Sequence, residues 1–159
     1  MLDFMLELTL EPDLPILMTH ERAREITLEE EREFIRRHLV PANSTLLLAQ
    51  AAKRIVGILN LTGGAAPENA HTVSLGMSVA RGWRDRGVGR ALVTRALGWA
   101  RENTGISRVE LEVFQHNTRA THLYEQMGFA AEGRRRKAYV KDGVALDVVL
   151  MAVLLDEAG

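Results

Sequence analysis

The residues best placed to do chemistry in this sequence form a short turn rich in arginine and glycine. Arg84, Gly87 and Gly89 stand in an R-x-x-G-x-G arrangement between an apolar stretch that ends near Val79 and an amphipathic stretch. Glycine lets the backbone turn tightly and come close to a ligand. The first N–H groups of a helix lack intrahelical partners, and the helix dipole favours an anion there. The turn is therefore a candidate phosphate site.

Two common phosphate motifs do not fit this turn. A P-loop needs a Gly-Lys-Ser/Thr ending, which is absent, and the dinucleotide motif G-x-G-x-x-G fails because Leu92 occupies its third glycine position. Taken alone, the turn is as compatible with an ordinary strand-to-helix connection as with phosphate binding. A functional interpretation needs a second element.

The second element is a short capped helix within residues 117–129. Asn117 is a favourable N-cap residue, and Gly128 is favourable just after the end of a helix. On its apolar face, Tyr124 is either a packing residue whose hydroxyl has a structural partner or a functional group. The spacing i, i+3, i+4, i+7 predicts that face, which consists of Ala120, Leu123, Tyr124 and Met127.

The two motifs, in this order and with a strand between them, resemble the GNAT superfamily of acyl-CoA-dependent N-acetyltransferases. The similarity covers about residues 73–155, and the segment from Gly128 onwards further resembles a branch with ribosomal-protein and amino-acid acetyltransferases. The resemblance implies an enzyme that transfers an acetyl group from acetyl-CoA to a primary amine by direct attack in a ternary complex. The amine is an amino acid, a protein N-terminus or a small-molecule amine. The alternative is a non-catalytic acyl-CoA sensor or regulatory module of the same fold.

The resemblance also implies roles for individual residues. The backbone of Met77, Ser78 and Val79 is expected to pair with the pantetheine arm of the coenzyme, in a gap where this strand separates from the next. Backbone amides of the turn are expected to bind the pyrophosphate, with guanidinium groups secondary. Tyr124 is the implied general acid near the coenzyme sulfur, and Asn117 caps its helix, binds the coenzyme arm, or does both. The predicted coenzyme-binding residues of the turn are Arg84, Asp85, Arg86, Gly87, Val88, Gly89, Arg90 and Ala91.

The general base is not identified by the sequence. Some members of the superfamily carry a glutamate on the strand before the phosphate turn, but counting back from Arg84 places Val73 there. Glu110, His71 and His116 remain alternatives, acting directly or through water. A water relay without a dedicated base is our expectation.

Composition limits the remaining alternatives. The chain has 159 residues, of which 47% are hydrophobic, and this suits one globular domain over residues 1–159. A formal net charge of -1 gives no electrostatic case for nucleic acid. The absence of cysteine excludes disulfides and is compatible with a reducing cytoplasm, where we expect the protein. We expect no signal peptide, no membrane span and no metal, since no His/Asp/Glu cluster has ligand spacing.

The elements that must position these residues predict a mixed α/β fold. Alternation of apolar and polar residues over residues 4–10 predicts a first strand. Residues 14–24 are ambiguous, with a short helix as one alternative. A capping box at Thr27 and Glu30 predicts the start of a helix that ends near Leu39. Gly76 suits a bulge or a close ligand approach. Further strands are predicted at 45–50, 54–61, 71–79 and 108–114, a helix at 87–103, and a final hairpin of 131–140 with 144–155 around an Asp-Gly turn.

Together these elements favour a twisted mixed sheet of about seven strands with helices on both faces, a GNAT-like fold. In the superfamily the N-terminal helical region helps to shape the acceptor site. The acidic run at residues 29–33 is expected to be a solvated helix surface rather than a site for a cationic acceptor. Homodimers are common in the superfamily, so a homodimer through the apolar final hairpin is an open alternative.

Overall fold

The computed structural model of the protein describes residues 1–11, 18–103 and 105–155. Within these residues, helices lie on both faces of a single sheet, and short 3-10 turns occur at Pro67–Asn69 and Arg81–Trp83. The helices are α1 (Leu2–Thr9), α2 (His20–Glu25), α3 (Leu28–Leu39), α4 (Val88–Glu102) and α5 (Thr118–Gln126). The strands are β1 (Thr45–Ala51), β2 (Arg54–Gly63), β3 (Thr72–Val79), β4 (Arg108–Phe114), β5 (Ala130–Lys141) and β6 (Val144–Leu154).

The sheet has the strand order β1-β2-β3-β4-β6-β5. Every neighbouring pair is antiparallel except β3 and β4, which run parallel. This parallel pair is short, because only Thr72–Ser74 of β3 pairs with Arg108–Glu110 of β4. Both strands continue beyond that point without pairing to each other. The carboxyl halves of β3 and β4 therefore leave a gap in the middle of the sheet.

The predicted first strand is wrong, because residues 2–9 form α1. The segment carries apolar residues at both strand and helix spacing. It forms a helix because this conformation buries both Phe4 and Leu8, which lie four residues apart. They pack with Ile58 of β2 in a small cluster on one face of the sheet, whereas Leu10 is 65% exposed. The sheet consequently has six strands rather than about seven.

Other predicted elements are confirmed. The capping box of α3 is formed by Thr27 and Glu30, and the final hairpin turns at Asp142 and Gly143, which both have positive φ. The short helix considered for residues 14–24 corresponds to α2, and residues 12–17 lie outside the described residues. No helix in the described part of the chain is long and apolar enough to cross a membrane.

Of the two alternatives considered for Gly76, the bulge is absent from the pairing of β2 with β3, which runs through this residue without a change of register. Gly76 lies opposite Asn60, and a Cβ atom at this position would stand 2.8 Å from the Asn60 side-chain oxygen. The glycine therefore serves a close approach rather than a bulge.

The main core lies on the other face of the sheet, beneath α4. Leu59 and Leu61 of β2 and Val73 of β3 are completely buried there. The apolar stripe of α4 has the predicted helical spacing, and its buried members are Leu92, Val93, Ala96, Leu97 and Ala100. This packing fixes the first turn of α4 next to the gap between β3 and β4.

Candidate active site

A cavity of about 510 Å³ occupies the gap between β3 and β4. Its walls are the second half of β3, the end of β4, the turn before α4 and the side of α5 that faces the gap. It brings together most of the residues that the sequence predicted for the coenzyme: Met77, Ser78, Val79, Arg84, Asp85, Gly87, Gly89, Arg90, Asn117 and Tyr124.

Backbone groups of β3 face this gap. The Ala80 N–H donates to the Val56 carbonyl on β2 at 2.9 Å, and backbone groups of successive residues point to opposite edges of a strand. Those of Met77 and Val79 therefore point into the gap, while those of Ser78 point to β2. The Val79 carbonyl already accepts a hydrogen bond from the Arg84 side chain, so Met77 is the residue whose N–H and carbonyl both lack a partner among the described residues.

The turn before α4 holds a series of N–H groups without acceptors. Two residues have left-handed backbone, Asp85 at φ 56° and Gly87 at φ 84°, and no side chain caps the helix. The Ala91 N–H donates to the Gly87 carbonyl at 2.9 Å and begins the helical ladder. Within the described residues, no acceptor takes the N–H groups of residues 85–90. This arrangement suits a bound anion.

The guanidinium groups predicted for the phosphate are largely engaged elsewhere. Arg84 donates to the Val79 carbonyl at 2.9 Å and pairs with Glu11 at 2.5 Å. It thereby ties the turn to the end of β3. Arg90 donates to the Gln126 side chain on α5. The groups of this turn that remain available to an anion are therefore mainly backbone amides.

Three predicted coenzyme residues do not line the cavity. The Arg86 guanidinium lies 4.5 Å above the Trp83 ring, and the Val88 side chain packs against the main core. The Ala91 N–H donates to the Gly87 carbonyl within the helix. Sequence reasoning did not identify Arg119 on α5, which lines the cavity. Its guanidinium nitrogen lies 3.6 Å from a carboxylate oxygen of Asp85. Its position two residues after the N-cap was the available signal.

Asn117 has the predicted capping role. Its side-chain oxygen accepts a hydrogen bond from the Ala120 N–H at 3.2 Å. The residue also lines the cavity, so the cap does not remove it from the site. The cap fixes the start of α5 and hence the direction in which its inner face points.

Tyr124 is buried on that inner face. Its ring lies 5.6 Å from the ring of Phe129. No described residue makes a hydrogen bond with its hydroxyl, which weighs against a purely structural tyrosine. Burial raises the pKa of the phenol to about 12, so it stays protonated at neutral pH. The site thus contains a free proton donor.

Glu112 is the carboxylate that the sequence reasoning missed. It shares a face of β4 with Glu110 but stands two residues further along, beyond the last parallel pair and at the open gap. Its carboxylate accepts hydrogen bonds from the Tyr139 hydroxyl at 3.1 Å and from Arg135. Strand alternation placed both glutamates on one face, and only the separation of β3 from β4 distinguishes them.

The bases considered from the sequence are less well placed. Both Glu110 and Glu112 pair with an arginine, but among the described residues only Glu112 of the two lines the cavity, and Val73 is fully buried. The described residues that line the cavity include neither His71 nor His116. Glu112 is therefore the candidate base.

A second cavity of about 450 Å³ lies on the other face of β3, under α1 and α3. Both cavities are lined by Gly76, Met77 and Ser78. This short length of β3 is the boundary between two binding spaces. A ligand in one space can meet a ligand in the other at the gap.

Comparison with known proteins agrees with this arrangement. Residues 5–129 match the Acetyltransferase (GNAT) family. An L-amino acid N-acetyltransferase of Escherichia coli (strain K12) is 31% identical over 98 residues, which are 62% of this chain and 60% of that protein. The chain thus spans about three-fifths of the length of this relative.

Two solved structures extend the similarity to nearly the whole chain. A GNAT-family acetyltransferase from Streptococcus pneumoniae has a TM-score of 0.89 and 27% identity over 97% of this chain and 90% of that one. The putative acetyltransferase yncA from Salmonella typhimurium, solved with its cofactor acetyl-CoA, has a TM-score of 0.84 and 18% identity over 99% and 87%. At that identity the second comparison concerns the fold alone.

Proposed function

The chain belongs to the GNAT acetyltransferase family, and we propose that it transfers an acetyl group from acetyl-CoA to a primary amine in a ternary complex. The acceptor classes considered are amino acids, protein N-termini and small-molecule amines. The observation that carries the proposal is the open gap between β3 and β4, with unpaired backbone groups on one side and a free phenol on the other.

The chain offers separate contacts for the pyrophosphate and the pantetheine arm of the coenzyme. The N–H groups of residues 85–90 would hold the pyrophosphate, with Arg119 as a nearby cation. The backbone of Met77 would pair with the pantetheine arm, as a neighbouring strand would. Bound acetyl-CoA would supply the acetyl thioester.

Two side chains supply proton transfer. Glu112 accepts a proton from the attacking amine, directly or through a water molecule, because its carboxylate lies at the gap. Tyr124 donates its hydroxyl proton to the leaving sulfur, since burial keeps the phenol protonated. The Met77 N–H is in the strand segment that borders both cavities and would polarise the thioester carbonyl.

Holding the two substrates next to each other supplies the larger part of the rate enhancement. Two cavities that meet at one strand segment hold donor and acceptor side by side, which replaces a bimolecular encounter with a directed one. In ideal cases this is worth about 7–11 kcal/mol. Direct attack then needs no covalent intermediate on the protein.

The experiment that tests the proposal measures release of coenzyme A thiol from acetyl-CoA with a panel of amino acids, short peptides and amines. We expect thiol release that requires one of the amines, with an acetylated amine as the second product. Saturable coenzyme binding without turnover for any amine would contradict the proposed transfer and would favour the sensor alternative.

A further inference from the structure

The second cavity is lined by an apolar wall and by a set of charged and polar side chains. Its apolar side chains come from four segments: α1, the region around α2, α3 and β2, which forms the floor. A wall of this kind suits a hydrophobic substituent of moderate size. The apolar wall includes Leu2, Met5, Met18, Ile26, Phe34 and Ile58.

Most charges around this cavity are already compensated. Glu30 pairs with Arg22 at 2.5 Å, and Glu33 pairs with Arg36 at 2.7 Å. The Glu31 carboxylate lies 3.3 Å from the amino group of Met1. The acidic residues of α3 therefore do not form an open site for a polycation.

Arg37 is the uncompensated charge. It lines the same cavity, one turn of α3 beyond Glu33 and Phe34. Within the described residues its guanidinium has no hydrogen-bond or ion-pair partner. A guanidinium binds a carboxylate with two parallel hydrogen bonds. The cavity can therefore recognise an anionic group on the acceptor.

A hydrogen-bond chain fixes the orientation of Asn60 on the cavity floor. The His38 Nδ1 lies 2.7 Å from the Phe34 carbonyl, which can only accept, so this nitrogen carries the proton. The His38 Nε2 lies 3.0 Å from the Thr62 hydroxyl, which in turn accepts from the Asn60 side-chain nitrogen at 3.2 Å. The Asn60 oxygen is left free.

This oxygen lies over Gly76, where a Cβ atom would approach it to 2.8 Å. Gly76 belongs to the strand segment that borders both cavities. An amide oxygen accepts an N–H without stabilising a positive charge as a carboxylate does. Asn60 can thus hold an amine in the neutral form that attacks a thioester.

We propose that the acceptor is a free α-amino acid with an apolar side chain, bound by Arg37 at its carboxylate and by Asn60 at its amine. The inference rests on the proposed acetyl transfer and names its substrate class. The apolar wall takes the side chain. A peptide N-terminus lacks the neighbouring carboxylate, and a polyamine lacks both the carboxylate and the apolar substituent.

The test compares kcat/KM for L-leucine, L-methionine, L-leucinamide, isoamylamine, the dipeptide Leu-Gly and spermidine. We expect L-leucine to exceed L-leucinamide and isoamylamine by about 10- to 100-fold, the range for a hydrogen bond to a charged group. Arg37→Gln should reduce this preference to about 3-fold or less. Arg32→Gln is the matched control, because Arg32 is an exposed residue of α3 that pairs with Glu29.

The role of Asn60 at the amine is tested by a separate measurement, the pH dependence of kcat/KM. In Asn60→Asp a carboxylate would stabilise the protonated amine, so the pH at which kcat/KM rises should move up by about one unit. An unchanged profile would remove Asn60 from the amine site.

The outcomes separate this inference from the proposed function. Turnover of L-leucinamide, Leu-Gly or spermidine that equals or exceeds turnover of L-leucine would overturn the amino-acid acceptor and leave acetyl transfer intact. A preference for L-leucine that survives Arg37→Gln would overturn the role of Arg37. Absence of turnover with every amine would contradict acetyl transfer itself.

Discussion

The two sides of β3 are built in different ways. The side proposed to bind the coenzyme (the coenzyme side), which comprises the β3–β4 gap, the turn before α4 and α5, presents mainly backbone groups held in place by glycines and a helix cap. The side proposed to bind the acceptor (the acceptor side), which comprises α1, α3 and the opposite face of β2 and β3, presents side chains from several segments. Backbone contacts recognise one constant ligand, whereas side chains set the choice of partner. Changes on the coenzyme side should therefore affect all acceptors alike.

The largest effect is expected for Tyr124→Phe. Loss of the proton donor should lower kcat by roughly 10²–10⁴-fold for every acceptor in the same proportion. Coenzyme affinity should stay within about 3-fold, since the hydroxyl has no partner in the fold to lose. Steady-state kinetics with two different acceptors and a binding titration check this. A loss confined to one acceptor would break the distinction between the two sides.

The second-largest effect, on affinity for acetyl-CoA, is expected for Gly89→Glu in the turn before α4. A carboxylate among the free N–H groups would repel the pyrophosphate and raise the Kd for acetyl-CoA by about 10²–10³-fold. A Cβ atom here would also lie 3.2 Å from Leu123, so some loss of Tm is expected.

The control for that variant is Gly98→Glu on the same helix, where a Cβ atom would meet nothing within 4 Å. It adds the same charge to α4 and should leave the Kd for acetyl-CoA within about 3-fold. Equal losses of affinity in both variants would mean that net charge, rather than the turn, governs coenzyme binding.

A smaller rate effect is expected for Glu112→Gln. The Glu112 side chain is 39% exposed, so water can partly replace it, and kcat/KM should fall by about 10²-fold, the lower end for general base catalysis. Glu110→Gln, two residues away on the same face, should change kcat/KM by less than about 3-fold. The reverse order of effects would return the base to the candidate proposed from the sequence.

The smallest effect concerns acid pH and the acceptor side alone. The Thr27 backbone N–H, followed by Arg22, lowers the pKa of Glu30 to about 2. Because this pKa is depressed, the stabilisation is present at neutral pH and is lost as pH falls from about 4.5 to about 2. Hydrogen exchange, corrected for intrinsic rates, should show the start of α3 opening at acid pH before α4 opens.

The matched variants are Glu30→Gln and Glu29→Gln. The first removes the capping carboxylate and should make opening of α3 independent of pH in this range. The second lies on the exposed surface of the same turn and should preserve the dependence. Simultaneous opening of α3 and α4 would mean that the two sides do not differ in acid stability.

The sequence predicted much of the coenzyme side because its elements follow local rules. Glycine in the turn, helical spacing in α4 and the N-cap at Asn117 are properties of short segments. The individual roles of Tyr124 and the turn residues stay predictions, although the fold brings most of them to one cavity. Arg84 differs from expectation in that its guanidinium binds protein groups.

The acceptor side could not be predicted in the same way. Residues 2–9 fit both strand and helix spacing, and only tertiary packing of Phe4 and Leu8 decides between them. Glu112 differs from Glu110 only by where β3 and β4 separate, which is a property of the whole sheet. Arg37 is distinguished by the absence of a partner among the described residues.

Binding of acetyl-CoA to the unmodified protein, measured by equilibrium dialysis, tests the central claim most directly. We predict saturable binding of one acetyl-CoA per chain, with displacement by free coenzyme A, because the gap and the turn recognise the parts that both share. Absence of saturable binding would contradict the assignment of the gap between β3 and β4 as a coenzyme site.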